Sequence, residues 1–404
     1  MHACIVDTTL TTPPTGGAQT FLVELCQALV RMGWRMSVVT QPGPDGAIVA
    51  SLKDVGAEVL DDIWRRAQLP EERGKALAAW VNSEKPDVYV ISISPDTGWL
   101  ALPSLDASIP TVSIAHNDVG AFYAPVTHYA PLIDCAVGVS HETVRRLREE
   151  TGMPAERVRH IPYGIQTITP AEAERRIAAA RKPGAPLRIG YVGRVVELQK
   201  RVTDFLGLAR ALSKEDVPYE LNIIGDGDER PRLEEAFRQN GFGDEVKFWG
   251  WLGQKQVAEK LAELDVFVLL SDYEGLPVAL LEAMGHALAP VVTRIPSGNM
   301  QLIRERENGL LFPVGDVLAA ARHLALLAAD HALLQALRRS AWETACEYSV
   351  ERMAQRYTDC FRDVAAPEFQ RAHRLKAPRP YPLLPACRSR YPNWLRKIKY
   401  RLNA

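Results

Sequence analysis

Short apolar runs alternate with longer amphipathic segments along the first half of the chain. A helix is predicted from about Gln19 to Met32, because apolar residues recur at the spacing of one helix face: Phe21, Leu22, Leu25, Leu29 and Met32. Around it, five apolar runs predict strands: HACIVD, WRMSVVT, DVYVISI, TVSIAH and DCAVGVS. Continuous apolar strands separated by helices indicate a parallel sheet that is covered on both faces.

The same alternation starts again in the second half of the chain. A polar segment rich in Ala, Arg and Glu, residues 169–186, comes first and predicts a surface linker or linker helix. Five further runs predict strands: LRIGYVG, YELNIIGDG, VKFWG, DVFVLLS and APVVTR. The pattern therefore predicts an α/β protein with two doubly wound sheets in tandem. Ligands of such sheets bind at the carboxyl ends of the strands, so the cleft between the sheets is the expected site.

A length of 404 residues suits two domains. We expect an N-terminal Rossmann-like domain over residues 1–168 and a second one over residues 187–350. A C-terminal helix over residues 351–366 is expected to pack back on the first domain. The remaining residues, 367–404, form a tail rich in proline and basic residues.

The composition is that of a globular protein and does not indicate a nucleic-acid partner or a metal site. The chain is 47% hydrophobic and 24% charged, as globular proteins are, and its net charge of −1 does not favour a nucleic-acid partner. The six cysteines form no CxxC pair and no zinc spacing with histidine, so buried or idle thiols are expected and no metal site. No apolar run reaches 18 residues and no signal peptide is recognisable, so we expect a cytoplasmic protein.

The tail concentrates positive charge. Residues 371–404 contain ten Lys and Arg and no Asp or Glu. Within them, YPNWLRKIKYRL (residues 391–402) places aromatic and aliphatic residues at helical spacing, with basic residues between them. This pattern is typical of a basic amphipathic helix on an anionic membrane surface, here the inner face of the plasma membrane. Packing onto the first domain and a disordered, solvated tail are the alternatives.

Two cations follow the first strand of the second predicted sheet. Arg194 comes directly after RIGYVG, and Lys200 follows it within the same loop. Fixed cations at a strand end suit a diphosphate, because they neutralise the charge that grows as a phosphate leaves. Solvated loop cations are the alternative. The later turn IIGDG (residues 223–227) lacks the third glycine of a dinucleotide fingerprint, so a nicotinamide enzyme is not expected.

The stretch SDYEGLPVALLEAMG (residues 271–285) places Glu274 in a glycine-proline turn and Glu282 in an apolar run. Pro277 fits the first turn of a helix, whose positive end would bind an anion. Burying a carboxylate is costly without a hydrogen-bond partner, and a pair of sugar hydroxyls suits Glu282, although a solvated helix position is the alternative. The cations, the helix end and the carboxylate together predict a site for a nucleotide diphosphate-sugar.

With these motifs, the chain resembles the retaining glycosyltransferases of family 4 (glycosyl transferases group 1). The resemblance covers roughly residues 1–364 and implies the GT-B fold, in which two Rossmann-like domains face a central cleft. Its most specific part is the E-x7-E motif, Glu274 to Glu282. Further matching stretches follow in the family's order: TGGA, SIAHND, GVSHET, IPYGI, VGR…K, IIGDG, LDVFVLLS and NGLLFPVGD.

The resemblance implies roles for individual residues. Arg194 and Lys200 would hold the donor diphosphate, and Glu274 would contact the transferred sugar. With His116, which would reach the sugar or the reaction centre, these three form the predicted catalytic set. Glu282 would accept the ribose hydroxyls. The other predicted donor-binding residues would approach the phosphates or cover the base: Gly16, Gly17, Gly225, Trp251, Leu252, Gly275 and Leu276.

The resemblance also implies a reaction. Such enzymes retain the anomeric configuration and usually need neither metal nor cofactor, because the leaving phosphate helps to take the acceptor's proton. The expected donor is a nucleotide diphosphate-sugar, with UDP favoured over GDP. The expected acceptor is a hydroxyl of a saccharide or lipid-linked glycan in the synthesis of cell-surface polysaccharide or glycoconjugate.

Two positions depart from the family pattern. Tyr163 stands where an asparagine is common, and Gln301 replaces an acid. A sugar-nucleotide-binding pseudoenzyme or partner subunit is therefore an alternative. A GT-B sugar-nucleotide epimerase is a second alternative on the same fold, but it would need additional acid/base carboxylates, and the sequence identifies none.

Overall fold

The computed structural model describes residues 1–10, 16–43, 46–65, 68–179, 184–296 and 298–367. The chain divides into two compact units. Of the described residues, unit 1 contains those within 1–162 and 350–367, and unit 2 contains those within Tyr163–Ser349.

Unit 1 is built on a seven-stranded parallel sheet with the order β3-β2-β1-β4-β5-β6-β7. Its strands are β1 (His2–Val6), β2 (Arg35–Val39), β3 (Glu58–Leu60), β4 (Val88–Ile91), β5 (Thr111–Ala115), β6 (Cys135–Gly138) and β7 (Val158–His160). Its first six helices are α1 (Gly17–Arg31), α2 (Gly46–Asp54), α3 (Pro70–Glu84), α4 (Thr97–Ala101), α5 (Gly120–Tyr129) and α6 (His141–Glu150). Strands β4, β5 and β6 are buried along their whole length, which explains their continuous apolar sequence.

Unit 2 is built on a six-stranded parallel sheet with the order β10-β9-β8-β11-β12-β13. Its strands are β8 (Leu187–Val192), β9 (Tyr219–Ile224), β10 (Val246–Gly250), β11 (Val266–Leu269), β12 (Ala289–Thr293) and β13 (Leu310–Phe312). Its helices are α7 (Pro170–Ala178), α8 (Glu197–Lys200), α9 (Asp204–Lys214), α10 (Arg230–Gln239), α11 (Gln254–Glu263), α12 (Val278–Gly285), α13 (Gly298–Leu302), α14 (Val317–Ala329) and α15 (His331–Cys346).

The last described helix, α16 (Val350–Ala365), belongs to unit 1. It packs against α1, where the rings of Phe21 and Tyr357 lie 5.7 Å apart between centroids. A second pair, Trp34 and Phe361, also lies 5.7 Å apart. Unit 1 is therefore assembled from both ends of the described chain.

The strand order reverses once in each sheet. Strands β1 and β4 are neighbours in unit 1, and β8 and β11 are neighbours in unit 2. In doubly wound sheets such a reversal opens a crevice at the carboxyl ends of the two strands, and ligands bind there. The predicted α/β architecture with two Rossmann-like parallel sheets is confirmed.

The division between the units falls before residue 168, where we predicted the first domain to end. Unit 2 begins at Tyr163 because the backbone N–H of Ile165 donates to the carbonyl of Tyr348 at 2.8 Å. Ile165 also forms a parallel bridge with Ser349.

Within unit 2, the predicted linker over residues 169–186 contains α7. Ala173 and Ile177 of this helix are buried in one cluster with Ala287. The helix is amphipathic, so it packs as a structural part of unit 2 and is not a free connection.

The described cysteines are free thiols, and all of them except Cys346 are buried. Burial raises the pKa of the Cys26 thiol to about 12, as expected of an idle thiol. Among the described residues, no three His, Cys, Asp or Glu side chains are placed to hold one metal ion. Cys387 and the tail helix predicted at residues 391–402 lie outside the described residues.

No single helix in the described ranges is long and apolar enough to cross a membrane. Helices α14 and α15 meet the criteria of length and composition only as a pair, and this pair is bent by 106°.

Candidate active site

Four polar side chains meet at the carboxyl ends of β8 and β11. Arg194, Gln199 and Lys200 follow β8, whereas Glu274 follows β11. Lys200 and Glu274 are 74 positions apart in sequence and meet because their two strands are neighbours at the reversal of the strand order. The fold thus brings together three of the four predicted catalytic residues.

The carboxylate of Glu274 has three side-chain partners: Lys200, Ser271 and Gln199. The ammonium nitrogen of Lys200 lies 2.5 Å from Oε1 of Glu274, and the hydroxyl of Ser271 donates to the same oxygen at 2.6 Å. The two charged side chains are only 13% and 7% exposed. Ion pairs in such surroundings are screened little by water, so the carboxylate is fixed in place before any ligand binds.

Gln199 links this pair to Arg194. Its Nε2 donates to Oε2 of Glu274 at 3.2 Å, and its Oε1 accepts from Nη2 of Arg194 at 2.7 Å. The residue is buried and has a φ of 85° and a ψ of −49°. A positive φ is strained for a residue with a side chain, and such strain is concentrated at functional sites. Gln199 therefore positions both partners.

The sequence interpretation missed Gln199. Its neighbour Lys200 was predicted from its charge, but nothing in the sequence marks an amide for a left-handed conformation. The structure also explains how the conformation is retained, since the N–H of Asp272 donates to the Gln199 carbonyl at 2.9 Å.

Gly225 packs the turn after β9 against the loop that leads to Arg194. Its φ is 138°, and a Cβ atom there would lie 1.9 Å from the carbonyl oxygen of Gly193. The N–H of Gly225 donates to the carbonyl of Gly250 at 2.8 Å. Only glycine allows the two turns to approach so closely.

The charge of Glu274 affects two buried phenols of unit 2. Burial raises the pKa values of Tyr163 and Tyr191 well above the ordinary value, and the carboxylate of Glu274 raises both further. Tyr163, which replaces the expected asparagine, therefore stays neutral beside the site. The hydroxyl of Tyr191 donates to the carbonyl of Arg194 at 2.7 Å and steadies its backbone.

Glu282 is the fifth residue of α12 and lies on the half-buried face of this helix. Pro277 was expected in the first helical turn, but its ψ of 102° is extended, so it caps the helix and Val278 begins it. Except for Ala279, which is also half-buried, the remaining residues of this helix are buried, which explains the apolar sequence around Glu282.

A pocket of about 380 Å³ opens beside Glu282. Its wall includes Lys255 and Gln254 at the start of α11, His286 after α12, and residues 166–168. The volume falls within the range of roughly 300–1,000 Å³ that is usual for small-ligand pockets. A carboxylate, an ammonium group and two amides give it several hydrogen-bonding partners for a polar ligand.

The other residues predicted to bind the donor in unit 2 surround α12 and β10. The carbonyl of Gly275 accepts from the N–H of Gly298 at 3.0 Å, and Leu276 is buried. Trp251 and Leu252 follow β10, and Trp251 is 43% exposed. An exposed indole has a free face on which a ligand can stack.

His116, the fourth predicted catalytic residue, lies in unit 1 directly after β5 and is buried. Its Nε2 lies 3.0 Å from the hydroxyl of Ser92, which donates to Asp7. The rings of Phe21 and Phe122 contact its ring edge to face. Burial lowers the pKa of His116 to about 3, so the ring is neutral at physiological pH.

Gly16 and Gly17, also in unit 1, open α1. Gly16 precedes the helix with an extended φ of 161°, and a Cβ atom there would meet nothing within 4 Å. Among the described residues, none packs closely enough against Gly16 to require a glycine there. Thr15 of the same motif lies outside the described residues.

The low pKa of His116 makes unit 1 less stable in acid. Between pH 7 and pH 5 the unfolded ring, with an ordinary pKa near 6.5, takes up a proton that the folded ring does not. The free energy of unfolding should therefore fall by about 2 kcal/mol from this residue alone. Urea titrations at both pH values test this prediction: the fall should be smaller by that amount in His116→Gln. Equal falls in both proteins would contradict it.

Residues 186–330 match the family model described as Glycosyl transferases group 1. Residues 15–168 match the model described as Glycosyltransferase Family 4. The chain therefore contains one domain that matches each of these two family models.

Its curated relatives include enzymes of polysaccharide synthesis. The chain is 35% identical to the amylovoran biosynthesis glycosyltransferase AmsK of Erwinia amylovora over 187 residues, which cover 45% of this chain and 44% of AmsK. It is 27% identical to the lipopolysaccharide core biosynthesis glycosyltransferase LpsE of Rhizobium meliloti over 347 residues, which cover 81% of this chain and 90% of LpsE. Thus it matches less than half of AmsK but most of LpsE.

Among solved structures, Anabaena Alr3699/HepE in complex with UDP-glucose is similar with a TM-score of 0.73. The match covers 90% of this chain and 100% of that chain at 17% sequence identity. At this identity the likeness shows the shared fold.

Proposed function

We propose that the protein is a retaining glycosyltransferase that moves a sugar from a UDP-sugar to a hydroxyl of a saccharide or lipid-linked glycan. The observation that supports this most is the buried Lys200–Glu274 pair, joined through Gln199 to Arg194 at the reversal of the strand order. The named functions of AmsK and LpsE favour polysaccharide or lipopolysaccharide synthesis. The UDP-glucose in the HepE complex favours a uridine donor.

In this proposal Arg194 and Lys200 bind the donor diphosphate. The bond between the anomeric carbon and the diphosphate oxygen breaks, and the acceptor oxygen bonds to that carbon on the same face. The acceptor's proton passes to the leaving phosphate. The two cations stabilise the charge that grows on this phosphate, so we propose that transfer needs no metal. Glu274, fixed by Lys200 and Ser271, binds the transferred sugar.

Sugar release tests the reaction class. Incubation with a UDP-sugar should liberate UDP in proportion to a glycosylated product, and only when an acceptor glycan is present. Interconversion of the sugar of the UDP-sugar, in the absence of any acceptor, would favour the epimerase. Tight nucleotide binding without any turnover across acceptors would favour the pseudoenzyme.

Glu282 gives a direct test of the nucleotide site. We propose that its carboxylate accepts the ribose hydroxyls in the adjoining pocket, and charged hydrogen bonds of this kind contribute roughly 1.5–3 kcal/mol. Glu282→Ala should therefore weaken UDP binding about 10- to 100-fold in calorimetry, with the melting temperature little changed.

The control is Glu259→Ala, which removes an exposed carboxylate from the neighbouring helix α11. It should leave UDP affinity unchanged. Comparison of UDP, GDP and ADP, first without metal and then with magnesium, tests the base and the metal independence at once. Equal UDP affinity in Glu282→Ala and the unmodified protein would refute the ribose contact.

The basic tail is the proposed membrane contact. Residues 391–402 would bring the enzyme to a lipid-linked acceptor at the inner face of the plasma membrane, because clustered Lys and Arg are attracted to anionic lipids. The full chain should sediment with vesicles that contain anionic lipid and not with neutral vesicles. A protein lacking residues 371–404 should remain in the supernatant, and unchanged sedimentation would remove this part of the proposal.

A further inference from the structure

A buried hydroxyl joins the loops that follow β11 and β12. Thr293 is the last residue of β12, and its Oγ1 donates to the backbone carbonyl of Ser271 at 2.7 Å. Ser271 lies two residues beyond the end of β11, which is the parallel neighbour of β12. The backbone pairing of these strands ends at Leu269 and Val292. The side chain of Thr293 therefore continues the connection between them beyond the sheet.

Ser271 extends this connection to the carboxylate of Glu274. Its hydroxyl donates to Oε1 of Glu274 at 2.6 Å, while its backbone carbonyl accepts from Thr293. The serine is thus held at its backbone by one loop and bonded to Glu274 by its side chain. A shift of the Ser271 backbone would move the hydroxyl that orients Glu274.

A buried amide holds Thr293 in turn. Nδ2 of Asn299 donates to the backbone carbonyl of Thr293 at 2.8 Å and lies 3.4 Å from its Oγ1. The other amide atom, Oδ1 of Asn299, is buried and has no hydrogen-bond partner among the described residues. Burying an oxygen without a partner is unfavourable, so the contacts of the nitrogen are what keep the amide in this orientation.

The hydrogen bonds of the Asn299–Thr293–Ser271 row all point the same way. Amide nitrogens and hydroxyl groups donate here, because carbonyl and carboxylate oxygens can only accept. Asn299 donates to Thr293, which donates to Ser271. Ser271 in turn donates to Glu274. The row therefore begins on α13 and ends at the carboxylate of the candidate site.

The backbone at the start of α13 supports the same turn. The N–H of Gly298 donates to the carbonyl of Gly275 at 3.0 Å. A Cβ atom on Gly298 would lie 2.5 Å from Cδ of Pro277 and 2.8 Å from Cα of Leu276. The segment after β12 thus contacts the turn that contains Glu274 at a second place.

Thr293 and Asn299 are both 0% exposed, so neither can touch a substrate, whereas Glu274 is not fully buried. We propose that Thr293 and Asn299 are positioning residues, which hold Ser271 so that Glu274 keeps the orientation in which it binds the transferred sugar. This inference rests on the proposed function, because the sugar contact of Glu274 is part of it.

Comparison of nucleotide and nucleotide-sugar binding distinguishes this role from a purely structural one. Calorimetry gives the Kd of UDP and of the UDP-hexose that binds best among UDP-glucose, UDP-galactose and UDP-N-acetylglucosamine. Thr293→Val removes the hydroxyl and keeps the shape of the side chain. The ratio of the two Kd values, UDP-hexose over UDP, should rise about 3- to 10-fold in this variant. An unchanged ratio would overturn the proposal, whatever happens to the melting temperature.

A double-mutant cycle tests whether Thr293 acts through Ser271. Ser271→Ala should raise the ratio at least as much as Thr293→Val, because the hydrogen bond to Glu274 is lost directly. Once Ser271 is alanine, Thr293→Val should change the ratio by less than about twofold, since residues that act in one network are not additive. Effects that multiply in the double variant would overturn the proposal.

Thr293→Ser and Thr358→Val are the matched controls. Thr293→Ser keeps the hydroxyl and loses only a methyl group, so it should retain the ratio of the unmodified protein. Thr358 is an equally buried threonine of unit 1, and its hydroxyl lies 3.9 Å from Sδ of Met32. Thr358→Val should leave the ratio unchanged. A rise in either control as large as that in Thr293→Val would overturn the assignment.

Asn299→Leu tests the row if Thr293→Val does not fold. It removes the donating nitrogen together with the oxygen that has no partner, so the ratio should rise while the melting temperature changes little. An unchanged ratio in this variant would also overturn the proposal. Absence of sugar transfer with the expected ratios would contradict the proposed function alone, whereas absence of UDP and UDP-hexose binding would overturn both.

Discussion

Lys200→Met should lower the free energy of unfolding by about 3–5 kcal/mol, the usual cost of leaving a buried charge without its partner. Glu274 would keep the hydrogen bonds of Ser271 and Gln199 but lose its cation in a site that is 7% exposed. Under the proposed function, sugar transfer should fall by about 10²–10³, because this variant lacks one of the two cations that we propose to bind the leaving phosphate. Urea unfolding and initial transfer rates measure the two effects.

A double variant separates the two effects. In Lys200→Met/Glu274→Gln neither charge remains, so most of the lost stability should return while transfer stays low. Lys247→Met is the matched control, since Lys247 pairs with Glu220 at 2.7 Å with both side chains partly exposed. It should cost less than about 1 kcal/mol. If the double variant were as unstable as Lys200→Met, lost packing and not the unpaired charge would be the cause.

Gly225→Ala should cost about 3 kcal/mol of stability and greatly weaken UDP binding. The new Cβ would lie 1.9 Å from the carbonyl oxygen of Gly193, so the turn after β9 and the loop before Arg194 must move apart. Thermal melting and UDP calorimetry test both parts.

The control for this variant is Gly243→Ala, whose added Cβ would have its nearest neighbour, Oε2 of Glu245, at 3.8 Å. Its stability should change by no more than about 0.5 kcal/mol. Equal effects of the two substitutions would show that the approach of the two turns is not needed.

The sequence predicts the sheets well because buried parallel strands are continuous apolar runs. Strands β4, β5 and β11 coincide with DVYVISI, TVSIAH and DVFVLLS. The packing of α7 was harder to predict, because most of its residues are polar and only Ala173 and Ile177 are buried in one cluster with Ala287. The sequence pattern predicts the helix, but the residues against which it packs are known only from the tertiary structure.

The sequence predicts which charged residues belong to the candidate site, but it does not predict the contacts between them. Arg194, Lys200 and Glu274 are recognisable from their charge and motif, whereas their spacing does not show which of them form an ion pair. Predicting the Lys200–Glu274 contact requires the strand order, in which β8 and β11 are neighbours. The strained φ of Gln199 cannot be predicted, because glutamine has no preference for a positive φ.

The surroundings of His116 could not be predicted from the sequence. Its position after a buried strand was predicted from SIAHND, and the resemblance implied a role at the reaction centre. Its neutrality depends on burial, and its neighbours Asp7 and Ser92 come from two other strands. These contacts can be predicted only when the order of the strands in the sheet is known.

The split composition of unit 1 has a consequence for synthesis on the ribosome. Its sheet emerges first, but α16, which supplies Tyr357 and Phe361, emerges only after all of unit 2. Because domains fold as units during translation, unit 2 can be complete while unit 1 still lacks its last helix. During that interval the apolar face of α1 around Phe21 is exposed, and it is a surface on which a chaperone can hold the nascent chain.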